Sequence, residues 1–411
     1  MRAQAQSLVK YTLFNAPWTL IASLSSGLSN YIIILVLSGA FGLAAGGQFR
    51  LFLSIMGVLS IFTLTDTGKI VVKYLVLGDA GVVRPLLFNR MRWALAGIVA
   101  GAVWAAIFYD RGNELWLPVL AGALLLPLTY PTDMYAQINQ ARKQFSLNAL
   151  YSVTKYGTLV VLALVATRVG MSVAVFLIAY SIAIASYHIF YLTRHPETFE
   201  QANPNARTYI REGIQLSGSG LFPLLMESAD KFLISYFFGL EALGLYAIGV
   251  STGRLFLHLV KPTLAIYFPI LVTRRPDARL LLVSLIVLTG IGIVAALLME
   301  WYFTYVLAAK YMDAYPLAAV VVAGLGVYAV GVIIQYSSIY YKHSTVIIPA
   351  IVNVTTAILV VSYLFVSVLQ GGEYALLLCA ASYPLRDFLI MTTTTLLSKR
   401  VGVHEKTDLV H

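Results

Sequence analysis

The sequence predicts an all-α polytopic membrane protein, with twelve transmembrane helices arranged as two pseudo-symmetric lobes of six around a central cavity. Three observations carry that prediction. Of the 411 residues, 59% are hydrophobic and only 11% charged, a composition that a soluble domain could not keep dispersed. The apolar residues gather into runs of about 20, the length that a bilayer core demands of a helix. A stretch near the start of the chain also recurs in its second half.

The expected spans are 17–38, 44–64, 93–109, 116–138, 147–167 and 173–192 in the first half. The second half supplies 216–238, 243–264, 280–298, 317–340, 346–369 and 374–396. Charge alternates between the connecting loops. One side holds most of the basic residues, among them Arg84, Arg90, Arg92, Arg142, Lys143, Arg274, Arg275 and Lys342. The other is mainly acidic, with Asp110, Glu114, Glu241, Glu300, Asp313 and Glu373. The positive-inside rule makes the basic side cytoplasmic and puts both termini there. The net charge of +10 is thereby read as orientation, not as a nucleic-acid surface. Residues 69–92 mix apolar and basic positions (VVKYLVL, RPLLFNRMRW) and read as an interfacial amphipathic segment. Residues 194–211 are polar, contain Pro196 and Pro204, and read as the linker between an N-terminal lobe (1–197) and a C-terminal lobe (198–411).

The repeat aligns Phe41-Gly42-Leu43 with Phe238-Gly239-Leu240 and Gly47 with Gly244, at an offset of 197. Farther on, Thr158-Leu159-Val160-Val161 aligns with Ile358-Leu359-Val360-Val361, at an offset of 200. Six spans is an even number, so both halves start on the same side, as in transporters built from parallel repeats.

Charges within the spans are the functional candidates, since each is costly in a bilayer. Arg50 and Arg254 lie on equivalent helices of the repeat, about 10 and about 18 Å below the outer face at 1.5 Å per residue. Arginine offers a planar fork of donors suited to phosphate. Lys155 lies in the fifth span, and Lys231 in the seventh with Glu227 and Asp230. Glu227 and Lys231 stand four residues apart and either neutralise each other or leave an acid free for a coupling proton or sodium ion. Gly218, Gly220 and Pro223 weaken the same helix and mark a hinge or a passive kink. Arg386-Asp387 reads as a structural pair. Asp66 and Asp133 are read as interfacial. Cys379 is the single cysteine, so no disulfide forms within the chain. Walker, zinc-ligand and nucleophile-elbow motifs are missing, which argues against ATP hydrolysis, enzymatic chemistry and a resident cofactor.

The stretches GLAAGGQFRLFLSIMGVLS, TGKIVVKYL and FLISYFFGLEALGLYAIGVSTG resemble Wzx-type polysaccharide flippases. These belong to the multidrug/oligosaccharidyl-lipid/polysaccharide exporter (MOP) superfamily, with lipid II flippases and MATE drug exporters as relatives. The resemblance implies a MATE-like fold, residence in the bacterial inner membrane, and outward flipping of an undecaprenyl-pyrophosphate-linked oligosaccharide such as an O-antigen unit. Surface-polysaccharide assembly proteins are the implied partners, and the transporter itself is expected to be a monomer. Lipid II flippases have fourteen spans, so the expected twelve argue against that role. A cation-coupled drug exporter and an integral-membrane polysaccharide polymerase or glycosyltransferase are the alternatives. The first would favour acids in its cavity, and the second would want a large outer loop.

Overall fold

The computed structural model describes residues 2–196, 200, 203–273, 278–307, 309–341, 347–371 and 374–408. Arg274, Arg275, Lys342 and Glu373 lie outside them. Every regular element among the described residues is helical. Among the described residues, ten runs are long and apolar enough to cross a membrane, and they match ten of the expected spans. The first five are α1 (Arg2–Phe41), α2 (Leu43–Leu59, prolonged by a 3-10 turn), α4 (Val83–Asp110), α8 (Phe145–Arg168) and α9 (Val173–Leu192).

The other two expected spans fall short for different reasons. Residues 116–138 do not form one helix. They split into α5 (Trp116–Leu124), α6 (Leu126–Thr129) and, after a turn, the start of α7 (Tyr135–Ala141). Pro127 and Pro131 each remove an amide donor and crowd the preceding turn, which interrupts the helix. Residues 216–238 are helical within α10 (Ala206–Phe237), which continues through Pro223. Its membrane stretch carries Glu227, Asp230 and Lys231 within five residues, which breaks the apolar run.

Residues 69–92 also differ from the expected single interfacial segment. Only α3 (Thr67–Val76) is a separate short helix, whereas RPLLFNRMRW forms the first turns of α4. The apolar face of α3, through Ile70 and Val71, joins a core with Val82, Val83, Leu86, Met134, Ile138 and Leu192. Its polar face is tied to α10: Lys73 Nζ and Tyr74 Oη donate to Glu212 at 2.9 Å each. The Glu212 hydrogen bond is the main influence holding the Lys73 ammonium above its usual pKa range.

The second half continues with α11 (Gly239–Thr273), α12 (Ala278–Tyr305), α13 (Tyr315–Ala323), α14 (Leu325–Tyr341), α15 (Ile347–Gln370) and α16 (Ala375–Asp408). The expected tenth span is interrupted at Gly324, between α13 and α14. A side chain at Gly324 would collide with Pro384 of α16. That break lies about 200 residues after the one at Leu125, close to the repeat offset read from sequence.

The glycines of the repeat have a direct structural counterpart. Gly42 and Gly239 precede or open their helices with φ of 92° and 85°, a region that favours glycine. A Cβ on Gly47 would stand 1.9 Å from the carbonyl oxygen of Leu240, and one on Gly244 would stand 2.0 Å from that of Leu43. The contact is reciprocal, as two copies of one motif packed on each other would make it, and it needs small residues at both positions.

By its contacts the chain divides into two compact units, Ile21–Gly244 and Met1–Leu20 with Leu245–His411. Within the first, α10 packs on α2, α3 and α4. Within the second, Gly249 and Gly253 let α11 approach α13 closely, and α16 packs on α13, α14 and α15.

Candidate functional site

Arg50 sits on α2 of the first unit and is half-buried. Ser54 Oγ donates to its backbone carbonyl at 3.0 Å. The guanidinium makes no ion pair with any carboxylate among the described residues. In the second unit the Arg254 guanidinium stands 5.4 Å from the centroid of the Tyr383 ring, and that of Arg386 stands 5.5 Å from the same ring. Two cations therefore share one aromatic face system, an arrangement favoured by the ring quadrupole. Arg386 is also bound to Asp387, with Nε and Nη2 donating to Oδ1 at 3.1 and 2.9 Å. The neighbouring pair expected from sequence thus forms within α16.

On α10, Lys231 and Asp230 are 1% and 2% exposed and paired at 2.8 Å. Lys231 also donates to the backbone carbonyl of Glu227. Helix α10 runs unbroken through Gly218, Gly220 and Pro223. Gly218 has open space around it, while a Cβ on Gly220 would meet the Asp66 carboxylate at 1.9 Å. Gly220 therefore has a packing duty, which is to admit that side chain from the start of α3.

Lys155 belongs to a larger constellation in the first unit. The broken segment between α6 and α7 brings Asp133 to within 3.8 Å of Lys155 Nζ and 3.5 Å of His188 Nε2. Tyr151 Oη donates to Asp133 Oδ1 at 3.0 Å. His188 Nδ1 lies 2.6 Å from the carbonyl of Thr129, so Nδ1 carries the hydrogen. Nε2 is then left to accept from Lys155 Nζ at 3.3 Å. Asp133, Lys155 and His188 line a cavity of about 200 Å³ whose other walls include Asn30, Phe52, Tyr130, Tyr156 and Tyr180.

The break that creates this site is held open by Arg90. The sequence reading places Arg90 in an interfacial segment on the cytoplasmic side, yet it is 3% exposed within α4. It donates to the carbonyls of Thr63 at 2.8 Å, Tyr130 at 2.7 Å and Pro131 at 3.4 Å. Interrupting a membrane helix frees carbonyls that must find donors inside the protein, and Arg90 and His188 supply them. Arg90→Met, which keeps the bulk, is expected to lower thermal stability in detergent by about 1–3 kcal/mol per stranded carbonyl. An unchanged melting temperature would show that the break does not need this clamp.

Sequence reasoning misses Asp133 and His188 as site residues. Its distance from the loop puts Asp133 at an interface, and His188 is inconspicuous inside an apolar run. The signal that points to them is the LPLTYPTD sequence, two prolines ahead of an acid inside an expected span. Among the described residues no group of His, Cys, Asp and Glu is arranged to hold a metal ion.

The fold is shared with solved transporters. An inward-facing MATE multidrug transporter of the MOP superfamily superposes with a TM-score of 0.65 at 12% identity, covering 97% of this chain and 99% of that one. A point mutant of VcmN, a MATE transporter from Vibrio cholerae, gives 0.59 at 12% identity over 96% and 97%. A MOP superfamily transporter from Pyrococcus furiosus, described as having a binding pocket of reverse polarity, gives 0.61 at 14% identity over 96% and 95%. No curated protein sequence matches the chain. The model of one protein family, described as polysaccharide biosynthesis protein, matches residues 93–312, more than half of the chain. The chain therefore has the fold of MOP superfamily transporters, and it belongs to the polysaccharide biosynthesis protein family.

Proposed function

We propose that this transporter flips an undecaprenyl-pyrophosphate-linked oligosaccharide, an O-antigen or related surface-glycan unit, from the cytoplasmic to the periplasmic leaflet of a bacterial inner membrane. The observation that carries the reading is Arg50, a half-buried arginine in a membrane helix with no carboxylate beside it among the described residues, in a chain of a polysaccharide family. A cation kept in that position awaits an anion, and a pyrophosphate meets the bidentate geometry of arginine. Arg254, set against Tyr383, is the corresponding contact in the second unit. Lys155 and Lys231 each stand beside a carboxylate and so have less charge to offer the cargo. Glu227 or Asp230 carries the coupling proton or sodium ion, and α10 flexes near Gly218, Gly220 and Pro223 as access alternates. Both termini are cytoplasmic in this reading.

The cargo's direction of travel suits the membrane potential. The bacterial interior is negative, so an anion moving outward gains about 2.3 kcal/mol per charge per 100 mV. The test is flipping of a fluorescent polyprenyl-pyrophosphate saccharide in reconstituted vesicles under a potassium-diffusion potential, without a pH or sodium gradient. Wild-type protein is expected to flip faster when the potential favours outward movement of the anion. Absence of flipping under any gradient would refute the flippase reading. Flipping indifferent to the sign of the potential would refute only the electrogenic step.

A further inference from the structure

We propose that the cavity of the first unit is a sugar subsite that takes a single pyranose ring, with ring hydroxyls on Asp133 and Asn30 and a ring face against tyrosine. The proposal rests on the flippase reading and adds a binding site for the glycan beside those for the pyrophosphate.

The chemistry of the walls selects the ligand. Tyr151 and Lys155 both engage one oxygen of Asp133, Oδ1, and His188 Nε2 stands 3.5 Å from that same oxygen. The Asp133 side chain is nevertheless 39% exposed at the cavity wall, and Oδ2 has no partner among the described residues. Asn30 lines the same cavity, and its side-chain amide has no hydrogen-bond partner among the described residues. A free carboxylate oxygen and a free amide seek hydroxyl donors and acceptors. They repel or ignore a phosphate, and the ammonium of Lys155 is already directed to Asp133, His188 Nε2 and Tyr151 Oη. His188 is locked in one tautomer by the Thr129 carbonyl, so the polar set is pre-oriented.

The remaining walls are aromatic. Tyr130, Tyr156 and Phe52 present rings to the cavity, and Tyr180 is braced edge-on by Phe49 at 5.5 Å. The C–H face of a pyranose carries the weak positive edge that a ring quadrupole attracts. The volume of about 200 Å³ lies below the roughly 300–1,000 Å³ of sites for drug-sized ligands. It therefore suits one ring of a glycan and excludes a whole oligosaccharide.

The test uses full-length protein in vesicles with three cargoes: bare polyprenyl pyrophosphate, the same carrier with one hexose, and the carrier with an oligosaccharide. Asn30→Ala is expected to slow both glycosylated carriers at least about tenfold while bare carrier moves at the wild-type rate. Asp133→Asn is expected to show the same loss on glycosylated carriers. Equal loss on all three cargoes, or no loss on the glycosylated ones, overturns the subsite. So does relief of the defect by inorganic phosphate. If wild-type protein moves none of the three, the flippase reading fails, and saturation-transfer NMR with free methyl pyranosides decides the subsite separately. Transfer seen with wild type and lost in Asn30→Ala upholds it, and no transfer to any of them overturns it.

Discussion

Arg50→Ala is expected to abolish surface glycan while leaving the amount of protein in the membrane unchanged. Arg50 has no acidic partner to strand, so its removal costs the fold little, whereas the pyrophosphate loses the cation that offsets its burial. Arg254→Ala is expected to do the same from the second unit. Arg254→Lys should retain partial activity, because the ammonium keeps the charge and loses both the planar fork and the stacking on Tyr383. A loss of tenfold or more in flipping rate corresponds to at least ~1.4 kcal/mol of lost stabilisation. The measurement is surface glycan by blot together with protein by immunodetection. Normal export by both alanine variants would remove the cationic contacts from the mechanism.

Gly47→Val is expected to prevent assembly of a monodisperse protein, and Gly244→Val to do likewise. Each added Cβ would stand about 2 Å from a backbone carbonyl oxygen of the opposing motif, at 1.9 and 2.0 Å respectively. Backbone cannot rotate away as a side chain can, so the cost should exceed the roughly 1–3 kcal/mol usual for an overpacked core. Gly218→Val provides the contrast, since nothing lies within 4 Å of a Cβ there. The check is size-exclusion profile and thermal unfolding in detergent. A Gly47→Val protein that elutes and melts like wild type would mean the two motifs do not pack this closely.

Much of the fold is legible in the sequence because lipid simplifies the code. Apolar run length locates ten spans, and the FGL…G repeat anticipates two matching glycine contacts. The prolines at 127 and 131 are visible too, but run length alone hides the break they cause. Arg90 is misplaced for a different reason. Sidedness rules count charges near span ends, and they do not tell a solvated arginine from one that three carbonyls have drawn inward. The cavity is the least legible part. Asp133, Lys155 and His188 come from separate elements, and only the turn between α6 and α7 together with the rotation of α8 and α9 about their axes brings them together. No local pattern encodes that rotation. In the same way, the spacing of Glu227 and Lys231 by one helical turn suggests a pair, yet the structure also pairs Lys231 with its neighbour Asp230.

The charges buried in α10 bear on how the chain enters the membrane in the first place. A charged residue at the centre of a translocating helix costs about 2.5–3.5 kcal/mol on insertion scales, and α10 carries Glu227, Asp230 and Lys231 within a few residues. The Asp230–Lys231 contact at 2.8 Å cancels part of that cost, but only once the helix has formed and excluded water. Helix α11 follows after a single residue, Phe238, and its stretch Gly239–His258 carries two charges, Glu241 and Arg254, against three in the membrane stretch of α10. During synthesis α10 is therefore expected to leave the translocon together with α11 as a hairpin, with its charges paired before the helix meets lipid.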